Sequence, residues 1–89
     1  MLVLAEGTFT VGPSGRPDGA EETQVALALA AGGAIVHAFI KLDLSGVILF
    51  VEAESLDAAE SLVATLPYAE DGTLVFALSP VKPLFPALD

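Results

Sequence analysis

Residues 46 to 86 carry a strand, a proline-stopped helix, a turn and a second strand with almost no slack between them. The stretch reads Gly46-Val-Ile-Leu-Phe-Val-Glu-Ala-Glu54, then Ser55-Leu-Asp-Ala-Ala-Glu-Ser-Leu-Val-Ala-Thr-Leu66, then Pro67-Tyr68, Asp71-Gly72 and Thr73-Leu-Val-Phe-Ala-Leu-Ser79. Ser55 or Asp57 caps a helix over Leu56–Leu66, whose predicted buried face is Ala59, Leu62, Val63 and Leu66. Pro67 forces the residue before it out of helical geometry and so ends that helix. Asp71-Gly72 turns the chain into the last strand. Pro80, Pro83 and Pro86 then leave room only for an edge or an extended arm, so residues 80–89 read as a proline-rich tail.

Leu2–Val11 is rich in β-branched and aromatic residues and predicts a strand, closed by the loop Gly12-Pro13-Ser14-Gly15-Arg16-Pro17. Asp18 with Glu21 is a capping-box arrangement that starts a helix, and Glu22 adds a favourable charge near its N-terminus. Val25, Ala28, Leu29 and Gly32 recur on one face of that helix, and Gly32 or Gly33 stops it. Ile35–Leu42 and Val47–Ala53 are two apolar runs joined by Asp43-Leu44-Ser45-Gly46, a hairpin by composition and spacing. The order is βαββαβ. Right-handed crossovers fold it into an α+β ferredoxin-like sandwich, a four-stranded antiparallel sheet with both helices on one face.

At 89 residues this is a single domain spanning 1–89, close to the size at which one core is just sufficient. It is 54% hydrophobic and 17% charged, more apolar surface than so short a chain easily buries alone, which points to a homo-oligomer, a dimer or higher. The net charge of −9 argues against nucleic acid, whose phosphates require Lys and Arg. Val25–Ile40 is too short to span a membrane and is broken by Gly32-Gly33, so no membrane partner is expected. The N-terminus lacks the basic flank of a signal peptide, and the absence of cysteine suits a reducing compartment; the expected location is cytoplasmic.

The pleat sorts the strands' side chains. Val36, Ala38, Ile40 and Leu42 alternate with His37, Phe39, Lys41 and Asp43, while Val47, Leu49, Val51 and Ala53 alternate with Ile48, Phe50, Glu52 and Glu54. A hairpin loop with an even number of residues puts the aliphatic sets together under the helices and is the expected register; an odd loop mixes them. The other face then holds His37, Phe39, Lys41, Ile48, Phe50 and Glu52, with Glu6 from the first strand. Such a face is too apolar to meet water. Two of these sheets packed together form a dimeric α+β barrel.

These features resemble the dimeric α+β barrel superfamily, and within it small proteins of the muconolactone isomerase type. The likeness rests on length, element order and the string Ser55-Leu56-Asp57-Ala58-Ala59-Glu60-Ser61-Leu62 through Leu66-Pro67-Tyr68 to Pro80-Val81-Lys82-Pro83-Leu84. The resemblance implies a proton-transfer isomerase of a small organic acid or lactone, and a C-terminal tail packed on a neighbouring subunit. YCII-related proteins are similar over the same stretch, but their helix ends in Asp-Pro, with that Asp paired to a His on the first helix. Here the position is Leu66 and the first helix has no His, so the dyad is absent.

His37, the only histidine, is a candidate to move a proton beside Glu52 or Glu54, as lactone or enol isomerisation requires; packing within a strand is its plainer role. Glu6 is a candidate base with a pKa raised by burial, and Lys41 a candidate contact for a substrate carboxylate, against the plainer reading of both as sheet rim. Phe39, Phe50 and Tyr68 are candidates to line a small apolar pocket. With one His and no Cys no metal site is expected, and no glycine-rich phosphate loop is present, so no cofactor is implied. Cofactor-free monooxygenases of the same superfamily tend to use tryptophan and asparagine, which this chain lacks. The alternative to an isomerase is a noncatalytic ligand-binding or assembly domain.

Overall fold

The computed structural model describes residues 1–85, so Pro86 and the rest of the expected tail lie outside the described residues. Strands β1 (Leu2–Phe9), β2 (Ile35–Ile40), β3 (Gly46–Glu52) and β4 (Leu74–Val81) form one antiparallel sheet in the order β2-β3-β1-β4. Helices α1 (Ala20–Ala31) and α2 (Leu56–Val63) lie on one face, giving the ferredoxin-like α+β arrangement. A one-turn helix, α3 (Pro67–Glu70), follows α2. Pro80 is accommodated within β4 because that strand is an edge, where a missing N–H costs no ladder bond.

The hairpin has the even register: Ala38 pairs with Leu49 and Ile40 with Val47. The helix-side core is therefore aliphatic, with Val3, Ala5, Leu49 and Val51 of the sheet buried against Ala59, Val63 and Leu66. Expectation and structure part at Val36. A bulge between Ile35 and His37 shifts the alternation, so Ile35 is buried opposite Val51 while Val36 is half exposed. β2 also stops at Ile40, leaving Lys41 and a fully exposed Leu42 in the turn, where Leu44 adopts a left-handed φ of 62°.

Local chemistry fixes the helix ends. Ser55 caps α2 by accepting the Ala58 N–H at 3.1 Å. α1 departs from the expected capping box: it starts at Ala20 after Gly19, with no side-chain cap, and Asp18 instead accepts the Ala20 N–H at 3.3 Å. Its C-terminus closes as expected on Gly32 and Gly33. Gly33 sits at φ 85°, and the bonds Gly33 N–H to Ala30 and Ala34 N–H to Leu29 complete a Schellman motif. The second helix is shorter than its expected end at Leu66. It stops at Val63, and Pro67 opens α3, because proline's fixed φ and missing N–H suit a first helical position as well as they break an interior one.

Two glycines set how closely the sheet packs. A Cβ on Gly46 would strike the Gly7 carbonyl oxygen, so β3 needs glycine where it enters the sheet beside β1. A Cβ on Gly7 would lie 2.7 Å from the Phe76 ring, which occupies the space that Gly7 leaves open.

Candidate functional site

α1 leaves a cleft of about 400 Å3 between itself, α3 and the sheet. Residues of that cleft include Phe9, Ala26, Ile40, Phe76, Tyr68 and Glu22. The volume lies within the range of small-molecule sites, and an apolar cavity of about 150 Å3 already takes benzene, so a substituted ring fits here. The space exists because α1 meets the core only through the partly buried Val25, Ala26 and Leu29, while the small Ala26 and Ala30 face the cleft. At its open side Leu27 and Ile40 are 64% and 55% exposed, so the lining meets solvent directly.

Among the described residues Glu22 is the one ionisable carboxyl in the lining. It sits in the first turn of α1, and its Oε1 accepts the Tyr68 backbone N–H at 2.9 Å, supplying α3 with the cap that its own sequence lacks. Burial raises the Glu22 pKa above the ordinary carboxylate value. The Tyr68 hydrogen bond opposes that rise, and the charge of Asp71 adds to it. Oε2 takes no hydrogen bond from the described residues and remains accessible. The group is thus oriented by one oxygen and free to exchange a proton through the other.

The surrounding ring groups are held in place. Tyr68 donates its hydroxyl to the Pro17 carbonyl at 2.6 Å and meets Phe9 edge to face, with centroids 6.2 Å apart. Arg16 lies over the Phe9 ring with its Cζ 3.4 Å from the centroid. Its Nε donates to the Val11 carbonyl and its Nη2 to that of Leu44, tying the loop after β1 to the hairpin tip.

The residues singled out in the sequence divide between the two faces. Tyr68 lines the cleft, and Phe39 reaches its rim from the edge strand. His37, Phe50, Glu6 and Glu52 occupy the open face, opposite the helices. His37 lies between two rings, stacked on Phe39 at 6.3 Å and edge-on to Phe50 at 6.0 Å. Glu52 pairs with the N-terminal ammonium at 2.9 Å rather than with His37, and Glu6 is exposed in the single chain, without the burial expected of a base. Lys41 sits in the hairpin turn. Among the described residues no three His, Asp or Glu side chains are grouped to hold a metal ion, and no helix is long and apolar enough to cross a membrane.

Glu22 was legible in the sequence only as a charge near a helix N-terminus. The signal that could have found it is its company. It is an acid one turn into a helix that is otherwise alanine-rich and apolar, so folding places a carboxyl at the edge of an apolar seam. A second hollow of about 360 Å3 lies between α2, α3 and β4, bordered by Glu60, Val63 and Leu78. It runs along the β4 edge, away from Glu22.

No protein-family model matches this chain, and no curated protein matches it in sequence. Among solved structures, a similar one is 5-chloro-2-hydroxyhydroquinone dehydrochlorinase (TftG) from Burkholderia phenoliruptrix AC1100 in complex with 2,5-dihydroxybenzoquinone. The match has a TM-score of 0.60 and 23% identity, and covers 92% of this chain and 94% of that one. At that identity the likeness is one of fold.

Proposed function

We propose that this chain binds a small ring-shaped organic molecule in the cleft beneath α1 and isomerises it by proton transfer, with Glu22 as the proton carrier. The observation that carries this reading is a half-buried, oriented carboxyl in an otherwise apolar cleft of about 400 Å3. In a β,γ-unsaturated lactone, the Glu22 carboxylate would take the proton from the carbon between carbonyl and alkene. The electron pair delocalises as a dienolate, and the carboxylic acid returns the proton to the far carbon, giving the conjugated isomer. A pKa raised by burial makes the carboxylate a stronger base for the first step. The reading is in keeping with the muconolactone isomerase type, and with a structural neighbour whose bound molecule is also a single oxygenated ring.

The proposal includes a homodimer, with two copies meeting through the open sheet face, and a cytosolic setting consistent with the lack of cysteine. Leu2, Leu4, Ile48 and Phe50 are half-buried on that face and Phe39 is 57% exposed, so a second copy would remove a continuous apolar surface from water. Light scattering at micromolar concentration is expected to give the dimer mass; a monodisperse monomer sinks this part. A second catalytic reading is favoured by the aromatic seat of His37. In a closed dimer, His37 with Glu52 or Glu6 would shuttle the proton, and Lys41 would meet a substrate carboxylate.

A methyl-substituted β,γ-unsaturated butenolide tests both. Amide shifts at Glu22, Ala26 and Tyr68 together with conversion to the conjugated lactone are the expected result, the conversion but not the shifts being lost in Glu22→Gln and both being kept in His37→Gln. Conversion lost in His37→Gln instead moves the chemistry to the open face. Shifts without conversion leave a noncatalytic ligand-binding domain, and no shifts at the cleft overturn the reading.

A further inference from the structure

The cleft's chemistry also says which charge state of a ring it takes. The chain has three basic residues, Arg16, Lys41 and Lys82, and none of them lines the cleft. Lys41 is in the hairpin turn, and Lys82 follows β4. Arg16 is packed against a lining residue without becoming part of the lining. Its guanidinium stacks on Phe9, and its Nε and Nη2 are engaged by the Val11 and Leu44 carbonyls. Among the described residues the only charge in the lining is Glu22, and Asp71 acts on it with the same sign.

A carboxylate entering this cleft would give up its water for an apolar lining with no cation to pair with. It would also approach Glu22 as a like charge, in a protein that already carries a net charge of −9. An uncharged ring meets neither penalty. Its carbonyl can accept a hydrogen bond from Glu22 as the acid, and a ring hydroxyl can donate to Glu22 as the carboxylate. Tyr68 does not compete for that role, since its hydroxyl is already donated to Pro17.

We infer that the cleft beside Glu22 selects uncharged, oxygen-bearing rings, lactones or cyclic ketones, and turns away the same rings carrying a carboxylate. This rests on the cleft being the binding site proposed above, and it narrows the expected organic acid or lactone to the lactone side.

The experiment is a matched-pair titration of the full chain followed by amide shifts. One probe is the methyl-substituted butenolide, and the other is the same ring bearing a carboxymethyl arm in place of the methyl. At pH 7 the carboxylated probe is expected to bind at least about ten-fold more weakly. In Glu22→Gln, which keeps an oxygen for the Tyr68 N–H, that ratio is expected to shrink several-fold. Leu27→Lys places a cation at the exposed rim and is expected to bring the carboxylated probe to parity or better. Equal or tighter binding of the carboxylated probe by the native chain overturns the inference while leaving the site intact. A ratio unmoved by both variants overturns it as well. If neither probe shifts the cleft amides, the inference falls together with the proposed function.

Discussion

The two long helices treat the same sheet differently. α2 spans eight residues, is capped by Ser55 and buries Ala59 and Val63, with Leu66 following it into the core. α1 spans twelve, has no side-chain cap and buries nothing fully. The cause is written in their sequences. α2 carries a stripe of larger apolar residues at helical spacing, with Asp57, Glu60 and Ser61 on the other side. α1 is apolar nearly all round from Val25 to Ala31, but four of those seven residues are alanine. α2 therefore buries part of its inner stripe outright, whereas α1 meets the core only through the partly buried Val25, Ala26 and Leu29. Burial is thus concentrated under α2, and the more apolar of the two hollows lies under α1.

The largest effect that would sharpen this contrast is Leu66→Ala. Leu66 is 1% exposed in the core, and its truncation is expected to cost about 2–5 kcal/mol by urea denaturation. Leu27→Ala on α1 is expected to stay within about 0.5 kcal/mol of the parent. If the two cost the same, the contrast fails. Next in size, Ala26→Leu fills the cleft from the α1 side. It is expected to raise stability by about 1 kcal/mol while removing ligand shifts. Loss of stability would mean that the cleft is too rigid to accept added volume.

Ser55→Ala is expected to cost about 1 kcal/mol, because the Ala58 N–H loses its acceptor. Asp18→Ala should cost less, since its 3.3 Å contact lies outside a true cap. The smallest effect is a slope. Glu22 has a raised pKa in the folded chain, so its contribution is fully present below the ordinary carboxylate value, where both states are protonated. It is lost as pH rises through the raised folded value, because the unfolded chain ionises first. Asp43 and Asp71 run the other way. Their carboxyls are held low by side-chain hydrogen bonding with Ser45 and Thr73, so their contribution is lost on acidification. The difference between native and Glu22→Gln melting curves isolates the first trend. A flat difference would mean that burial does not strain Glu22.

Most of the sheet was legible because strands of period two leave few choices. Once Ala38, Ile40, Val47 and Leu49 are required to share a face, the hairpin register follows. The bulge at Val36 was not legible, since two adjacent β-branched residues, Ile35 and Val36, serve equally as the inward one. Pro67 was read as a stop, although proline also favours the first position of a new helix; only the buried Leu66 decides between them. The candidate site was the least legible part. Glu22 and Tyr68 are 46 residues apart, and nothing local marks a carboxylate as the cap of a distant one-turn helix. Asp18 and Glu21 offered the better capping pattern, but Gly19 delays the helix start and leaves that pattern unformed.

The floor of the cleft contains one further lever. Phe76 reaches its position across β1 because Gly7 has no side chain, so a hydrogen atom in a strand interior sets how low the ring can lie. A methyl there would press on Phe76 and Val47, both in the lining, and reshape the chamber without changing any of its polar groups. For a designer, or for natural drift within such a protein, the size of the accepted molecule is adjustable from beneath, at a residue that no inspection of the cleft's own chemistry would single out.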